Sequence, residues 1–123
     1  MVQPPRRGEI WFGFTPGQPR DPHQPRPVLV VSEDIRNRHR DDVVVVPIFS
    51  RGRPGPTRVA LSEGAAGIPR ASILFCEQIT TLYRDFLVDG PLGEPVSRSV
   101  FEAVLRAVRR ALGEVVPEPD DGW

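Results

Sequence analysis

Apolar and polar residues alternate along the first apolar segment, EIWFGF at 9–14, where Ile10, Phe12 and Phe14 share one side. This two-residue period predicts a β-strand with one buried face. The valines at 43–46 do not alternate, so their strand is predicted to be buried on both faces. Further short strands are predicted at 27–32 (PVLVVS), at 43–48 (VVVVPI), at 57–61 (TRVAL) and within 72–83, which holds two short strands or one bent strand.

One helix is predicted near the C-terminus. Ser99 and Glu102 have the spacing of a capping box, and Gly113 supplies a stop signal. An apolar stripe at helical spacing lies between them: Phe101, Val104, Leu105, Val108 and Leu112. The polar segment 33–42 predicts a short helical turn or loop. The fold class is therefore mainly β with a C-terminal helix, either a small barrel or a sandwich.

Length and composition limit the possibilities further. The chain of 123 residues, with 15 prolines and 11 glycines, predicts one turn-rich domain over 1–113 and a flexible acidic tail at 114–123. The single cysteine, Cys76, excludes an internal disulfide and favours a cytoplasmic location. We expect neither a membrane span nor a secretory signal, because no long apolar run is present. No cluster of metal-ligand residues is recognised, so no metal site is predicted.

Charge is distributed unevenly along a neutral chain. All 16 basic residues are arginine; residues 1–58 hold ten arginines and six acids, a net charge of +4, and residues 59–123 carry −4. A neutral protein with a basic first half can still present a phosphate-binding face. Arginine richness also arises from genomic base composition, so charge alone gives only a weak indication.

Candidate chemistry lies at the ends of two predicted strands. Arg26 stands between two prolines at the start of the second strand, and Ser50 and Arg51 follow the third. If the two strands run antiparallel, the end of the third lies beside the beginning of the second. The pattern then predicts that a guanidinium and a hydroxyl meet at one sheet edge.

Four segments in this order and spacing, RGEIWF, RPVLVVS, VVVVPIFSR and RASILFCEQITTL, resemble the MazF/PemK family of toxin endoribonucleases. The similarity covers roughly residues 7–87, and the closing helix fits the family too. The resemblance implies an SH3-like barrel with a C-terminal helix and a homodimer. It also implies cleavage of single-stranded RNA at a short sequence without metal or cofactor, and a cognate MazE-like antitoxin that blocks the RNA groove.

The resemblance also implies site residues. The family's catalytic arginine falls on Arg26, whereas its catalytic threonine falls on Phe49, which cannot exchange a proton. Ser50 is the nearest replacement hydroxyl, with a plain turn serine as the alternative. Phe49 either stacks on a base or belongs to the core. The other candidate RNA-binding residues are Gln78, Arg51, Arg20 and His23, of which His23 is also a possible proton donor or acceptor.

The chemistry of RNA cleavage assigns Arg26 its role. A 2′-hydroxyl nucleophile must lose a proton, charge builds on the phosphate, and the leaving 5′-oxygen must gain a proton. A guanidinium keeps its proton at physiological pH, so Arg26 is predicted to stabilise charge rather than act as a base.

Two other functions stay open at this stage. Phe49 and Thr80 stand where the resemblance implies a threonine and often a basic residue, which favours a catalytically weakened protein that binds RNA or antitoxin. The terminal Trp123 is compatible with a gyrase-binding toxin of the CcdB type, which shares the barrel.

Overall fold

The computed structural model describes residues 3–16 and 24–119. Three 3₁₀ turns, Ala65–Gly67, Cys76–Gln78 and Arg84–Phe86, join some of the elements. The strands and helices in chain order are β1 (Ile10–Gly13), β2 (Arg26–Val30), α1 (Asp34–His39), β3 (Asp42–Phe49), β4 (Arg58–Leu61), β5 (Ser72–Phe75), β6 (Thr80–Tyr83), β7 (Leu87–Asp89) and α2 (Arg98–Ala111). The mainly β fold with a C-terminal helix is thus confirmed, and the segment 72–83 forms two strands. The sequence patterns did not predict β7, which has only 3 residues.

The long strand β3 organises the sheet. Its neighbours are all antiparallel, and the order β4-β5-β3-β2-β1-β7 is completed by β6, which also pairs with β3. The first half of β3 pairs with β6 and its end pairs with β5, so the strand changes partner near Pro47. The amide of Val31 donates to the carbonyl of Val44, which places the nitrogen of residue 47 on the β5/β6 side. A proline without an N–H is tolerated there because the partner changes at that point.

Alternation along β2 and β3 divides the core into two clusters. Leu29, Val46 and Ile48 pack with Leu74 of β5 and with Val104 of α2. The other faces of the same strands form a second cluster of Trp11, Val28, Val30, Val43, Val45 and Leu82. Both faces of β3 are therefore buried, as the unbroken run of valines predicted, and only Val44 of the four is half-buried.

A buried polar network fixes the connection between β2 and β3. Asn37 of α1 is fully buried, and its amide group donates to the carbonyls of Pro5 and Ser32. The Ser32 hydroxyl donates to Asn37 Oδ1 at 2.6 Å and accepts from the amide of Val44 at 3.0 Å. Each buried polar group in this network thus has partners, as burial requires. Within the polar segment 33–42, predicted as a short helical turn or loop, residues Asp34–His39 form the helix α1.

The N-terminus of α2 differs from the predicted capping box. Ser97 is the N-cap, and its hydroxyl accepts from the amide of Val100 at 3.3 Å. Ser99 already lies within the first turn, and Glu102 pairs with Arg98 at 3.0 Å instead of reaching back to the cap. The capping box of Ser99 and Glu102 is therefore wrong. The sequence offers serines at both 97 and 99, and only the backbone of Ser97 is extended as a cap requires.

The first residues after α2 form hydrogen bonds and ion pairs with arginines of the helix. Glu114 pairs with Arg109, and Arg110 donates to the carbonyl of Val116 at 2.7 Å and pairs with Glu118 at 2.9 Å. Residues 120–123, including Trp123, lie outside the described part of the chain, so the flexible tail stays a prediction. Within residues 3–16 and 24–119, no helix is long and apolar enough to cross a bilayer.

The two serines before α2 give a matched pair of variants. Ser97→Ala removes the acceptor for the Val100 amide, and we expect the free energy of unfolding to fall by about 1 kcal/mol. Ser99→Ala removes only the exposed contact of its hydroxyl with the Ser97 hydroxyl at 3.2 Å and no bond to the backbone, so it serves as the control, with an expected change well below that of Ser97→Ala. Urea unfolding followed by circular dichroism measures both. Equal losses in the two variants would contradict the assignment of the cap.

The buried thiol of Cys76 makes stability depend on alkaline pH. Burial, and next the negative charge of Glu77, raise its pKa to about 12. The unfolded chain loses this proton near the ordinary thiol pKa, so the unfolded state is favoured as pH rises above about 8.5 to 9. We expect ionisation of this thiol in the unfolded chain to reduce the free energy of unfolding by about 1.4 kcal/mol per pH unit, from the ordinary thiol pKa up to the folded pKa of about 12.

A comparison of the protein with its Cys76→Ala variant isolates the contribution of this ionisation. Urea unfolding at pH 7.5 and pH 10 should show a larger loss of stability for the protein with the thiol. Equal losses in both proteins would show that the thiol does not carry the effect.

Candidate functional site

A cavity of about 490 Å³ opens where β2 begins and β3 ends. Its wall combines aromatic and proline side chains with arginine guanidinium groups. The lining residues are Phe12, Gln24, Pro25, Arg26, Pro27, Ile48, Phe49, Ser50, Arg51, Ile68, Pro69, Arg70 and Ser72. Such a mixture of apolar walls and a few placed polar groups is typical of a ligand site.

The antiparallel register brings the two predicted strand ends together. Val28 lies opposite Pro47 and Leu29 opposite Val46, so the same register carried outward sets Pro27 beside Ile48 and Arg26 beside Phe49. This confirms that the end of the third predicted strand lies beside the beginning of the second. Arg26 is accordingly a cross-strand neighbour of Phe49 rather than a distant loop residue.

Pro27 creates the anchor for the Arg26 side chain. Along β2, the amide of Val31 points to β3 and the amide of Val30 points to β1, so the nitrogen of residue 27 faces Ile48. Proline has no N–H, and the carbonyl of Ile48 lacks its ladder donor. The Arg26 guanidinium supplies that donor, with Nη1 3.0 Å from the Ile48 oxygen.

One aromatic ring, that of Phe49, also contacts this guanidinium. Arg26 Cζ lies 3.9 Å from the centroid of the Phe49 ring, which is within cation–π distance. The Phe49 ring in turn contacts Phe75, with centroids 4.3 Å apart. Arg58 Cζ lies 3.9 Å from the Phe75 centroid, and Arg58 Nε pairs with Glu77 at 2.9 Å.

Burial gives Arg26 unusual electrostatics. The residue is only 4% exposed, and desolvation lowers the pKa of its guanidinium from the ordinary value. An arginine remains charged even after such a shift, because its ordinary pKa lies so far above neutrality. A buried cation that lines an open cavity gains from an incoming anion, so the cavity suits a phosphate or carboxylate.

Two more of the predicted site residues line the same cavity. Ser50 and Arg51 follow β3 and are exposed. Side chains of consecutive strand residues point to opposite faces, but β3 ends at Phe49 and Ser50 lies in a bend, so Phe49 and Ser50 both line the wall. The hydroxyl and the guanidinium of Arg26 thus border one cavity.

The remaining predicted site residues are placed differently. Gln78 is exposed and is not among the lining residues, because the chain leaves β5 through the turn Cys76–Gln78, which contacts α2. Arg20 and His23 lie outside the described residues, in the gap between 16 and 24. Their roles, and any role of Gln78 in RNA binding, stay predictions.

The cavity also includes residues that the sequence analysis missed. Arg70 adds a second exposed guanidinium from the loop before β5, and Ser72 at the start of β5 donates its hydroxyl to the Arg70 carbonyl at 2.9 Å. Gln24 Nε2 donates to the Thr15 hydroxyl at 2.7 Å. The sequence signal for Arg70 was its position shortly before a predicted strand, which Arg26 shares.

Within the described ranges, no three His, Cys, Asp or Glu side chains cluster as a possible metal site.

The fold and the cavity together define a small antiparallel β-barrel-like protein with a closing helix. Its arginine-lined pocket lies where β2 begins and β3 ends. Residues 6–112 match the sequence model of the family described as PemK-like, MazF-like toxin of type II toxin-antitoxin system. Because this match covers most of the chain, the protein belongs to that family. The family assigned in this way is the one that the four sequence segments resemble.

Curated relatives agree with this assignment. The chain is 36% identical over 88 residues to endoribonuclease MazF4 of Mycobacterium tuberculosis strain H37Rv, covering 72% of this chain and 79% of the relative. It is 31% identical over 87 residues to endoribonuclease EndoA of Bacillus subtilis, covering 68% of this chain and 75% of the relative.

Solved structures share the fold. A mycobacterial endoribonuclease in complex with its cognate antitoxin superposes with a TM-score of 0.74 at 30% identity, covering 92% of this chain and 99% of that one. MazF from Deinococcus radiodurans gives a TM-score of 0.75 at 22% identity, covering 92% and 100%, and this likeness concerns the fold alone.

The anchor made by Pro27 can be tested directly. Pro27→Ala adds an N–H that faces the Ile48 carbonyl, and we expect it to form the missing ladder bond and compete with Arg26 Nη1. The new amide at position 27 should then exchange slowly with solvent in hydrogen-exchange NMR. Pro69→Ala, at a cavity proline outside the strands, is the control and should leave the Arg26 side-chain resonances in place. Rapid exchange of the new amide would contradict the proposed geometry.

Proposed function

We propose that this protein is a metal-independent endoribonuclease toxin that cleaves single-stranded mRNA at a short sequence within the β2/β3 cavity. The observation that carries the proposal is the buried, anchored guanidinium of Arg26 on the wall of an open cavity. Membership in the toxin family and the curated names of its relatives, which are endoribonucleases, support it.

In the proposed reaction, the RNA itself supplies the nucleophile. The 2′-oxygen loses its proton and bonds to the adjacent phosphorus, and the bond from phosphorus to the 5′-oxygen breaks. The products are a 2′,3′-cyclic phosphate and a 5′-hydroxyl, which receives a proton. Negative charge accumulates on the non-bridging phosphate oxygens, and Arg26 stabilises it as a donor already held in place before the reaction.

Proton transfer requires groups other than Arg26, since a guanidinium does not release its proton. Ser50 provides a hydroxyl at the cavity wall and takes the part that a threonine plays at position 49 in the family resemblance. Its role is to hydrogen-bond the reacting phosphate and to relay the proton that leaves the 2′-oxygen toward the departing 5′-oxygen. His23 has the appropriate pKa range for a donor or acceptor and stays a candidate from the sequence.

RNA binding draws on the charge and the apolar wall of the cavity. Arg51 and Arg70 are exposed at the cavity and attract the phosphate backbone, with Arg20 and Gln78 as further candidates from the sequence. Phe12 and the prolines offer apolar surface for an unstacked base, which is how single strands are usually read.

The proposal includes two macromolecular partners and a cytoplasmic location. A homodimer is supported by exposed apolar side chains on and after α2: Leu105 is 37% exposed, Leu112 is 77% exposed and Val115 is 93% exposed. A cognate MazE-like antitoxin is supported by the mycobacterial endoribonuclease structure, whose title describes such a complex.

Cleavage of a mixed single-stranded RNA in EDTA tests the proposal. The protein should give discrete cuts with 2′,3′-cyclic phosphate ends, and Arg26→Ala should reduce the rate by about 100- to 1000-fold, as the loss of one charge-stabilising donor does. Arg26→Lys should restore little, because an ammonium lacks the planar fork. Arg98→Ala removes an exposed arginine on α2 and is the matched control, with an unchanged rate.

Each alternative outcome has a distinct meaning. RNA that is bound but left intact by the protein would favour a catalytically weakened RNA-binding protein. Cuts that persist in Arg26→Ala would remove Arg26 from the mechanism. Activity that disappears in EDTA and returns with added magnesium would overturn the metal-independent reaction.

A further inference from the structure

We propose that Phe49 is a positioning residue for Arg26, and that its ring, supported by Phe75 and Arg58, holds the guanidinium at the cavity wall. This inference rests on the proposed function, because the guanidinium must be held for a reaction to benefit. It assigns an active role to the aromatic residue at the one position where the sequence resemblance implied a hydroxyl.

The contacts form a continuous stack across three strands. Arg26 of β2 and Phe75 of β5 come from the strands on either side of β3, so the Phe49 ring lies between them. The distances are 3.9 Å from Arg26 Cζ to the Phe49 centroid and 4.3 Å between the two ring centroids. The half-buried Phe49 ring already contacts a guanidinium and a second ring tilted by 43°, which favours positioning over base stacking.

The far end of the stack is fixed as well. Arg58 Cζ lies 3.9 Å from the Phe75 centroid, and its Nε is 2.9 Å from Glu77 Oε2. A Cβ at Gly52 would come within 3.0 Å of the Phe75 ring, so the loop after β3 packs closely on this ring. Phe75 is thus in contact with Arg58 and close to the loop after β3, and both restrict its movement away from Phe49.

An aromatic neighbour suits a guanidinium that must stabilise an anion. The ring attracts the cation through its quadrupole but carries no formal negative charge, so it leaves the positive charge available to a phosphate. It also has no strong acceptor atom and competes weakly for the N–H donors of Arg26. The ring and the Ile48 carbonyl together restrict where the guanidinium can lie, and this preorganisation is what charge stabilisation needs.

The test compares substitutions at one position. Phe49→Leu keeps an apolar side chain but removes the ring, and we expect kcat to fall by about tenfold, the value of a largely desolvated cation–π contact, with KM nearly unchanged. Phe49→Tyr keeps the ring and should restore most of kcat. Phe86→Leu removes an aromatic side chain outside the cavity and is the matched control.

Phe49→Thr separates positioning from degeneration. If the ring positions Arg26, introducing the threonine that the family resemblance implies should lower kcat as Phe49→Leu does. A gain in cleavage by Phe49→Thr would overturn the inference, since the phenylalanine would then be a lost hydroxyl rather than a support.

A second measurement does not depend on cleavage. The Phe49 ring shifts the NMR resonances of the Arg26 side chain through its ring current, and this shift should be lost in Phe49→Leu and kept in Phe49→Tyr. Thermal unfolding of each variant separates loss of contact from loss of fold. An Arg26 spectrum unchanged in a folded Phe49→Leu protein would overturn the inference.

The outcomes also distinguish this inference from the proposed function. If the protein cleaves RNA and Phe49→Leu cleaves equally well, only the inference fails. If Phe49→Leu raises KM and leaves kcat unchanged, Phe49 contacts RNA and does not position Arg26. If the unsubstituted protein leaves RNA intact, the proposed function fails and the catalytic part of the inference fails with it.

Discussion

The antiparallel pairing of β2 with β3 is the interaction on which the rest of the structure depends. Its register buries alternate side chains of both strands in two different clusters, and a slip of one residue would exchange these faces. The same register, continued to the strand ends, sets Arg26 beside Phe49. The site is therefore a direct product of core packing, because the residues that fix the register are the buried valines and leucines next to it.

The absence of an amide proton has different consequences at Pro47 and at Pro27. Pro47 lies where β3 changes its partner from β6 to β5, so the absent donor leaves the sheet intact. Pro27 faces Ile48, so the absent donor frees a buried carbonyl for a side chain. Loss of a ladder bond normally weakens a strand. Here the guanidinium of Arg26 donates to the Ile48 carbonyl in place of the missing amide, and this contact holds a cation at the start of β2.

Burial of that cation has a cost that its surroundings only partly offset. Desolvation lowers the pKa of Arg26, which means that the charged form is less stable there than in water. The Ile48 carbonyl and the Phe49 ring compensate in part, and an anionic ligand would compensate further. A buried cation of this kind gains from an anion placed beside it.

The sequence by itself determined the approximate positions of every strand except β7, the single closing helix and the family. Periodicity of 2 and 3.6 residues reports which side chains are buried, and this information is local. The single buried face predicted for β1 is wrong, because Trp11 and Gly13 are buried as well and Phe14 is 45% exposed. The unbroken valines at 43–46 and the Arg-Pro pair at 26–27 were readable from the sequence. The choice of Ser97 over Ser99 as the cap was not, because both serines precede the apolar stripe at acceptable distances.

Only the tertiary structure decided how the candidate residues meet. The sequence placed Phe49 at the expected position of a hydroxyl, but the stack of Phe49 between Arg26 and Phe75 joins β2, β3 and β5, whose spacing along the chain carries no contact information. The same holds for Arg70, which reaches the cavity from a loop before β5, and for Asn37, whose burial depends on Pro5 and Ser32. Local patterns fix which faces are buried, whereas a functional site depends on long-range register, and only the folded sheet determines that register.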